Sequence, residues 1–489
     1  MPDKLDFYAL LGLTRNATPE EIKQAYFEAA QRLHPDKNKA PGETELFLEI
    51  QQAYETLSDP KRRARYDATL PPESESPSGP LRVRTDFSRP TLVQTDEPQL
   101  LYVLIEIMAA KPDPAVATAP LNVCLVLDRS TSMQGEKLDV VKATAIQLIR
   151  ILQPQDILGV VAFSDRAEVI IPCGYQSDRS KLEARVQMLS HNGGTEIFQG
   201  LRAGLEEVRR NADPGRVNHI ILLTDGHTYD NEADCLALAD EAARHNIGIS
   251  GLGIGKDWND AFLDNLTSRT GGSSAYVSRP EEIRHLLIEK FNTLGRVFAE
   301  EVQLDFETVP DVRLNYAFRL QPEAGPLPLE SPLHLGPVLQ NVSLSVLFEF
   351  LIQPSAIKEK ELQIFNGTLK AHIPSLPLPV PPFRLRWQRP VAKKPAPEPP
   401  PATIVQAMSR LSLYRIQERA HMAAEAGDYV RASRHLQALA SHLLAQGERG
   451  LAHTALLEAE NILRTQTLSE EGKKKIKYGT RMLCLPSKT

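Results

Sequence analysis

Residues 125–135 read LVLDRSTSMQG. A run of apolar strand formers ends there, without transition, in an acid and two hydroxyl residues spaced two apart: Asp128, Ser130 and Ser132. The apolar half is continuous rather than alternating, as in a strand buried on both faces of a parallel sheet. The stretches that follow repeat the theme. ILGVVAF, NHIILLT and IGISGLGIG are short apolar runs, and amphipathic helices are expected among them over residues 137–152, 195–208 and 231–245. AFLDNLTSR and residues 280–291 add helices, SSAYVS adds a strand, and FSDRAEVII reads as a hairpin contributing an antiparallel edge. Strands alternating with helices predict an α/β doubly wound, Rossmann-like unit, its mostly parallel sheet covered on both faces.

Open α/β sheets hold their ligands at the carboxyl ends of their strands. Three such ends are polar here: Asp128-Arg-Ser130-Thr-Ser132, the loop Asn192-Gly-Gly-Thr195, and Thr224-Asp225-Gly226. Hydroxyls and carboxylates, with neither His nor Cys among them, make a hard oxygen site suited to Mg²⁺ or Mn²⁺, with Ca²⁺ the poorer fit. The pair Gly193-Gly194 lets the backbone bend so that Thr195 can reach inward. Against this stands a plainer reading, in which Ser130 or Ser132 caps the helix starting at Glu136 and Asp225 is an ordinary turn acid. The three polar segments falling at successive strand ends favour the metal. The run Gly251-Leu-Gly253-Ile-Gly255 lacks the GxGxxG spacing of a nucleotide loop and is expected to be a strand end turning toward Asp257.

The segments DRSTSM, GGTEIFQGL, ILLTDG and GLGIGKDWND resemble the von Willebrand factor type A domain with an intact metal-ion-dependent adhesion site. That resemblance implies that Ser130, Ser132 and Thr195 touch the ion, while Asp128 and Asp225 act directly or through water. It also implies one open coordination position, filled by a Glu or Asp of a protein partner, and hence adhesion rather than catalysis. A hydrolase would need an activated water with a base beside it. Asp225 could nominally serve and His227 lies two residues on, but no second metal site or nucleophile accompanies them. His227 is expected to be a surface loop residue, and the chain not to be an enzyme.

Outward from this unit the patterning changes. LRVRTDF and LLYVLIEI precede it, and VQLDFE, VRLNYAF, VSLSVLFEFLI and LQIFNGTLKAHI follow it. Period-two alternation without intervening helices predicts an antiparallel β-sandwich, residues 81–118 plus 297–388, into which the α/β unit of residues 119–296 is inserted. Proline-rich linkers are expected at 71–80 (PPESESPSGP) and 389–402 (RPVAKKPAPEPPPA). Residues 403–489 form a helical tail, in which the stretch from Ile404 to Arg464, rich in alanine and leucine with breaks at Gly427 and Gly447, reads as two or three packed helices. Lys473, Lys474, Lys475 and Lys477 are expected on a solvated face of this tail, since a nucleic-acid surface would interleave aromatics with the basic residues.

The first 70 residues are helical by pattern. Thr18-Pro19-Glu20-Glu21 is a capping box with proline at the first helical position. Ile22, Tyr26, Ala29 and Leu33 then share a face, and Leu46, Phe47, Ile50, Tyr54 and Leu57 form a facing stripe. The loop HPDKNKAPG sits between the two helices. His34-Pro35-Asp36 in that setting, followed by AYETLSDPKRRARYD, resembles the J domain of the DnaJ family. The resemblance implies that this tripeptide triggers ATP hydrolysis by a DnaK-type heat-shock ATPase, with Lys23, Tyr26, Arg32 and Lys37 as docking residues. The family usually carries basic residues just after the tyrosine, where this chain has Phe27 and Glu28, so its charge complementarity is thinner.

Composition bounds these readings. At 489 residues the chain is too long for one core. A hydrophobic fraction of 42%, a charged fraction of 24% and a net charge of -6 describe a globular protein with no overall attraction to nucleic acid or anionic membranes. Four cysteines without a CxxC pair exclude a disulfide framework and a zinc ribbon. No apolar run is long enough to span a bilayer, and MPDKLDFYALLGL is unlike a signal peptide, so a cytoplasmic location is expected. The sequence thus predicts a multidomain chain: an all-α J domain, a type A domain set in a sandwich, and a helical tail. Its expected function is that of a co-chaperone adaptor. A metal-dependent scaffold with a non-stimulating J domain and, more distantly, a metal hydrolase remain alternatives.

Overall fold

The computed structural model describes residues 7–11, 13, 17–33, 43–67, 80–110, 119–174, 178–226, 231–376, 380–394 and 398–485. The head consists of helices α1 (Phe7–Leu10), α2 (Pro19–Leu33), α3 (Glu43–Leu57) and α4 (Pro60–Asp67). The capping box forms as its residues dictate. The Thr18 amide donates to Glu21 Oε2 at 2.7 Å, and the Glu21 amide donates to Thr18 Oγ1 at 3.2 Å. Ile22, Ile50, Ala53 and Leu57 form the core with Tyr8 and Leu11, and Tyr26 stacks on Tyr54 with ring centroids 4.2 Å apart.

Strands β1 (Leu81–Phe87), β2 (Leu92–Val93) and β3 (Gln99–Ala109) begin the sandwich. The chain then enters the α/β unit: β4 (Leu121–Asp128), α5 (Glu136–Ile151), β5 (Ile157–Phe163), β6 (Ala167–Ile171), α6 (Arg179–Gln187), α7 (Ile197–Arg210), β7 (Val217–Thr224), α8 (Glu232–Arg244), β8 (Ile247–Ile254), α9 (Asp260–Ser268), β9 (Ser274–Val277) and α10 (Pro280–Leu294). The sheet order is β6-β5-β4-β7-β8-β9, with β6 antiparallel at the edge as the FSDRAEVII pattern implies and the other neighbours parallel. Helices α5, α6 and α10 cover one face and α7, α8 and α9 the other. Every residue of β4, β5 and β7 is therefore buried. Helix α6 has no counterpart among the expected elements. It is mostly polar, buries only Leu182 and Val186, and is nucleated by Asp178, whose side chain accepts from the Lys181 amide.

The sandwich resumes with β10 (Val297–Thr308), β11 (Val312–Gln321), β12 (Gly325–Pro326), β13 (Leu333–Leu339), β14 (Leu344–Ile352), β15 (Glu361–His372) and β16 (Phe383–Ala392). Two five-stranded sheets, β1-β3-β14-β11-β12 and β13-β10-β15-β16-β2, enclose Leu101, Val103, Ile105, Phe348, Phe350, Phe365 and Trp387. The α/β unit is inserted between β3 of one sheet and β10 of the other. Strand β16 runs through Arg389, Pro390, Val391 and Ala392, residues that the proline content assigns to a linker; Val391 and Ala392 pair with β2. The insertion is fastened to the sandwich by buried charge. The Arg319 guanidinium donates to the carbonyls of Gly271 and Gly272, both at 2.6 Å, and of Glu323 and Leu335, while Lys290 pairs with Glu323 at 2.6 Å.

Over the span where two or three helices are expected the tail holds three, α11 (Ala402–Glu425), α12 (Tyr429–Ala445) and α13 (Arg449–Thr465), and a further helix, α14 (Glu470–Cys484), follows them. Helix α11 lays Ile404, Leu411 and Tyr414 on Leu104, Phe318 and Leu347, the outer face of the first sheet. Strand β14 is consequently buried on both faces. Helix α14 returns to the α/β unit and overturns the expectation of a solvated lysine face. Lys474 is fully buried and donates to the Lys256 carbonyl at 2.7 Å. Lys473 and Lys477 pair with Asp260, and Lys477 and Arg481 with Asp264. Only Lys475 keeps to a surface pair, with Glu471. Tyr478 sits against Trp258 and Tyr276, its centroid 5.8 and 6.1 Å from theirs.

Candidate metal centre

Strand β4 delivers Asp128 to the crevice fully buried, and the chain reverses at once. The Ser130 amide donates to Asp128 Oδ1 at 2.8 Å, and Thr224 Oγ1 at the end of β7 donates to Asp128 Oδ2 at 2.8 Å. Burial pushes the Asp128 carboxyl above its ordinary pKa, against the pull of those hydrogen bonds and with a further push from Asp225. A short 3₁₀ turn over Thr131–Met133 drives Met133 into the core, so Ser132 points the other way, into the crevice.

The capping alternative is not what the hydroxyls do. Helix α5 starts from Gly135 at φ +82° with no side-chain cap. The two serine oxygens lie 2.9 Å apart, and Ser132 Oγ donates to Asp225 Oδ1 at 2.6 Å. Thr195 comes from the third segment. Its loop is tied to the first by Thr131 Oγ1 donating to the Gly193 carbonyl at 2.9 Å and the Asn192 amide donating to the Arg129 carbonyl at 2.8 Å. Asp165, in the β5–β6 turn, accepts from the Gly194 amide at 2.8 Å and lies where a side chain at Gly193 would be. Thr195 then abuts Gly226, where an added Cβ would meet Thr195 Oγ1 at 2.8 Å. The glycine beside Asp225 thus leaves the threonine its place.

The structure therefore brings Asp128, Ser130, Ser132, Thr195 and Asp225 into one crevice. Among the described residues no group of three or more His, Cys, Asp or Glu side chains could hold a metal. The donors here are two acids and three hydroxyls, an all-oxygen set that fits a hard divalent cation. His227 lies outside the described residues.

Two contributors escaped the sequence reading. Lys137, in the first turn of α5, pairs with Asp225 Oδ2 at 2.5 Å and donates to the Ser132 carbonyl at 3.3 Å. Asp165 braces the glycine loop. Spacing alone gives no signal for Asp165, while Lys137 is legible only as a base on a first helical turn, where acids are favoured. The glycine run of β8 has a packing cause. The Trp258 ring would meet a Cβ at Gly253 at 2.1 Å, and Leu263 would meet one at Gly251 at 2.7 Å.

In the head, Lys23 is exposed on α2, Tyr26 is half-buried, and Arg32 lies on α2. His34, Pro35, Asp36 and Lys37 fall outside the described residues. Phe27 stands 58% exposed beside Tyr26.

Comparison with known proteins matches three family models: a DnaJ domain over residues 6–67, a von Willebrand factor type A domain over 122–289, and an Sll0103-like, C-terminal alpha-helical domain over 402–486. The chain is 35% identical over 208 residues to the uncharacterized protein sll0103 of Synechocystis sp., covering 42% of this chain and 49% of that one. It is 57% identical over 67 residues to the chaperone protein DnaJ of Dictyoglomus thermophilum, covering 14% of this chain and 17% of that one. It thus spans about half the length of the first relative and a sixth of the second. Among solved structures, a von Willebrand factor type A protein from Catenulispora acidiphila superposes with a TM-score of 0.64 at 15% identity, over 83% of this chain and 98% of that one. The ArnB paralog VWA2 from Sulfolobus acidocaldarius does so with a TM-score of 0.52 at 16% identity, over 84% and 100%. These likenesses show the fold. The chain joins a DnaJ domain, a von Willebrand factor type A domain and an Sll0103-like helical domain in one polypeptide.

Proposed function

We propose that this protein is a non-enzymatic co-chaperone adaptor of the cytoplasm, in which the DnaJ domain recruits a DnaK-type ATPase to a partner held by the type A domain. In this reading His34, Pro35 and Asp36 stimulate the ATPase, and Lys23, Tyr26, Arg32 and Lys37 dock it. Asp128, Ser130, Ser132, Thr195 and Asp225 hold Mg²⁺ or Mn²⁺. Bound there, a divalent cation keeps one coordination position open, and a partner's Glu or Asp carboxylate fills it. The chain's own residues do the preparation: Ser130 and Thr224 fix the Asp128 carboxylate, Thr131 and Asp165 hold the loop that carries Thr195, and Gly226 clears its path. The single observation that carries the reading is the contact of Ser132 Oγ with Asp225, which joins the ends of β4 and β7 through hydroxyls that cap nothing.

The test has two arms on the full chain. ATPase turnover of a cognate DnaK-type chaperone is expected to rise in its presence and to lose that rise with His34→Gln. Crosslinking with mass spectrometry is expected to find a Mg²⁺-dependent partner in the wild type and to lose it in Asp128→Ala. Exposed Phe27, where the DnaJ family usually has basic residues, favours a second reading in which the head docks without stimulating. That reading gains if the partner is captured while the ATPase rate stays flat.

A further inference from the structure

We infer that Lys137 sets the balance between cation affinity and acid affinity in the crevice, weakening the hold on the divalent ion and strengthening the pull of the bound ion on an incoming carboxylate. The inference rests on the crevice being a divalent-cation site. Asp225 has no exposed side-chain surface, and both of its oxygens are engaged, Oδ1 by Ser132 and Oδ2 by the Lys137 ammonium. Lys137 itself remains 31% exposed at the side chain, so it is held by this pair rather than by enclosure. Its position runs against the helix dipole, which disfavours a cation in a first turn, and the Asp225 partner compensates. The neighbouring base, Arg129, is turned away to Glu168 at 3.0 Å and does not share the task. Opposite Lys137 the chain passes at Gly255, φ +72°, where an added Cβ would lie 3.9 Å from the ammonium.

The charge count gives the consequence. Two carboxylates would leave a divalent ion neutralised. Two carboxylates and one ammonium leave the loaded site with a net positive charge. A fixed cation a few ångströms from the ion opposes its binding by Coulomb repulsion and adds to the field felt by a carboxylate arriving from solvent.

The full chain, titrated with Mn²⁺ alone and followed by the electron paramagnetic resonance of the free ion, measures the first effect. Acetate titrated into the Mn²⁺-loaded chain, followed by water-proton relaxation, measures the second. Lys137→Met is expected to bind Mn²⁺ roughly ten-fold more tightly and acetate several-fold more weakly, while Lys137→Arg keeps the wild-type values. Circular dichroism confirms that each variant is folded. Unchanged or weaker Mn²⁺ affinity in Lys137→Met, or unchanged acetate affinity, overturns the inference while leaving the site intact. Wild-type protein that takes up no Mn²⁺, or Asp225→Ala that binds it as well as the wild type, overturns the site and the inference together.

Discussion

Two clusters of charge lie beside the ends of the neighbouring strands β7 and β8, balanced in opposite ways. In the crevice, Asp128 and Asp225 face one base, Lys137. On α9, Asp260 and Asp264 face three: Lys473, Lys477 and Arg481. Both pairs of acids sit at a rim where a parallel sheet concentrates polar groups. The second is saturated by cations brought from a helix more than two hundred residues away. The first is left one positive charge short. Where carboxylates serve only to fasten domains, the chain supplies their counter-ions itself; where it withholds them, the deficit is available to an ion from solution.

The largest break in this comparison should come from Asp264→Ala. It strands Arg481 at a buried interface and takes from Lys477 one of its two acidic partners, and the loss of folding stability is expected to be about 3 kcal/mol or more. Urea unfolding followed by the fluorescence of buried Trp258, which touches Tyr478, reads it directly. Asp128→Asn should behave oppositely. Burial already raises the Asp128 carboxyl, so removing its charge should change metal-free stability by less than about 1 kcal/mol. The difference appears with ligand: Mg²⁺ at a hundred times its Kd should add about 2.7 kcal/mol to the wild type and nothing to the variant. Equal stabilisation of both proteins in a thermal scan would remove the crevice from the metal's address.

Acid titration separates the clusters by sign. Although burial alone would raise them, Arg481 and Lys477 hold the Asp264 carboxyl well below its ordinary range, and Lys290 and Arg319 bring Glu323 down to about 2. Carboxyls depressed in the folded state contribute stability above their unfolded pKa and lose it as the pH falls through the folded value. For Glu323 the window runs from 4.5 down to about 2, and Glu323→Gln should flatten the stability curve there. The raised Asp128 carboxyl has the reverse sign, and its strain is relieved as it protonates. The smallest effect belongs to Lys475→Ala, which removes an exposed pair with Glu471 and should shift stability by less than about 0.5 kcal/mol. A larger shift would mean that the lysine face is fastened along its whole length.

The α/β layering was legible because buried parallel strands cannot alternate, and LNVCLVL and NHIILLT do not. The crevice was legible because hydroxyls and acids at three strand ends have no core to enter. Helix α6 was not, since two buried residues give no periodic stripe. Strand β13 was missed because Gly336 and Pro337 interrupt its alternation. The lysines of α14 misled for a different reason: a basic run reads as solvated unless its acidic partners are known, and Asp260 and Asp264 are distant in sequence. Lys137 needed the turn at Gly135 to show where its side chain goes.

The fastening of α14 has a practical corollary for anyone dissecting the molecule. Excising the type A region at the limits of its family match would leave Asp260 and Asp264 without the cations of the last helix and take Tyr478 away from the indole of Trp258. Such a piece would misreport both solubility and calcium or magnesium uptake, because naked acids near the rim recruit ions indiscriminately. The smallest faithful portion extends from the first sandwich strand through the final helix, and only the DnaJ head can be detached without reopening that seam.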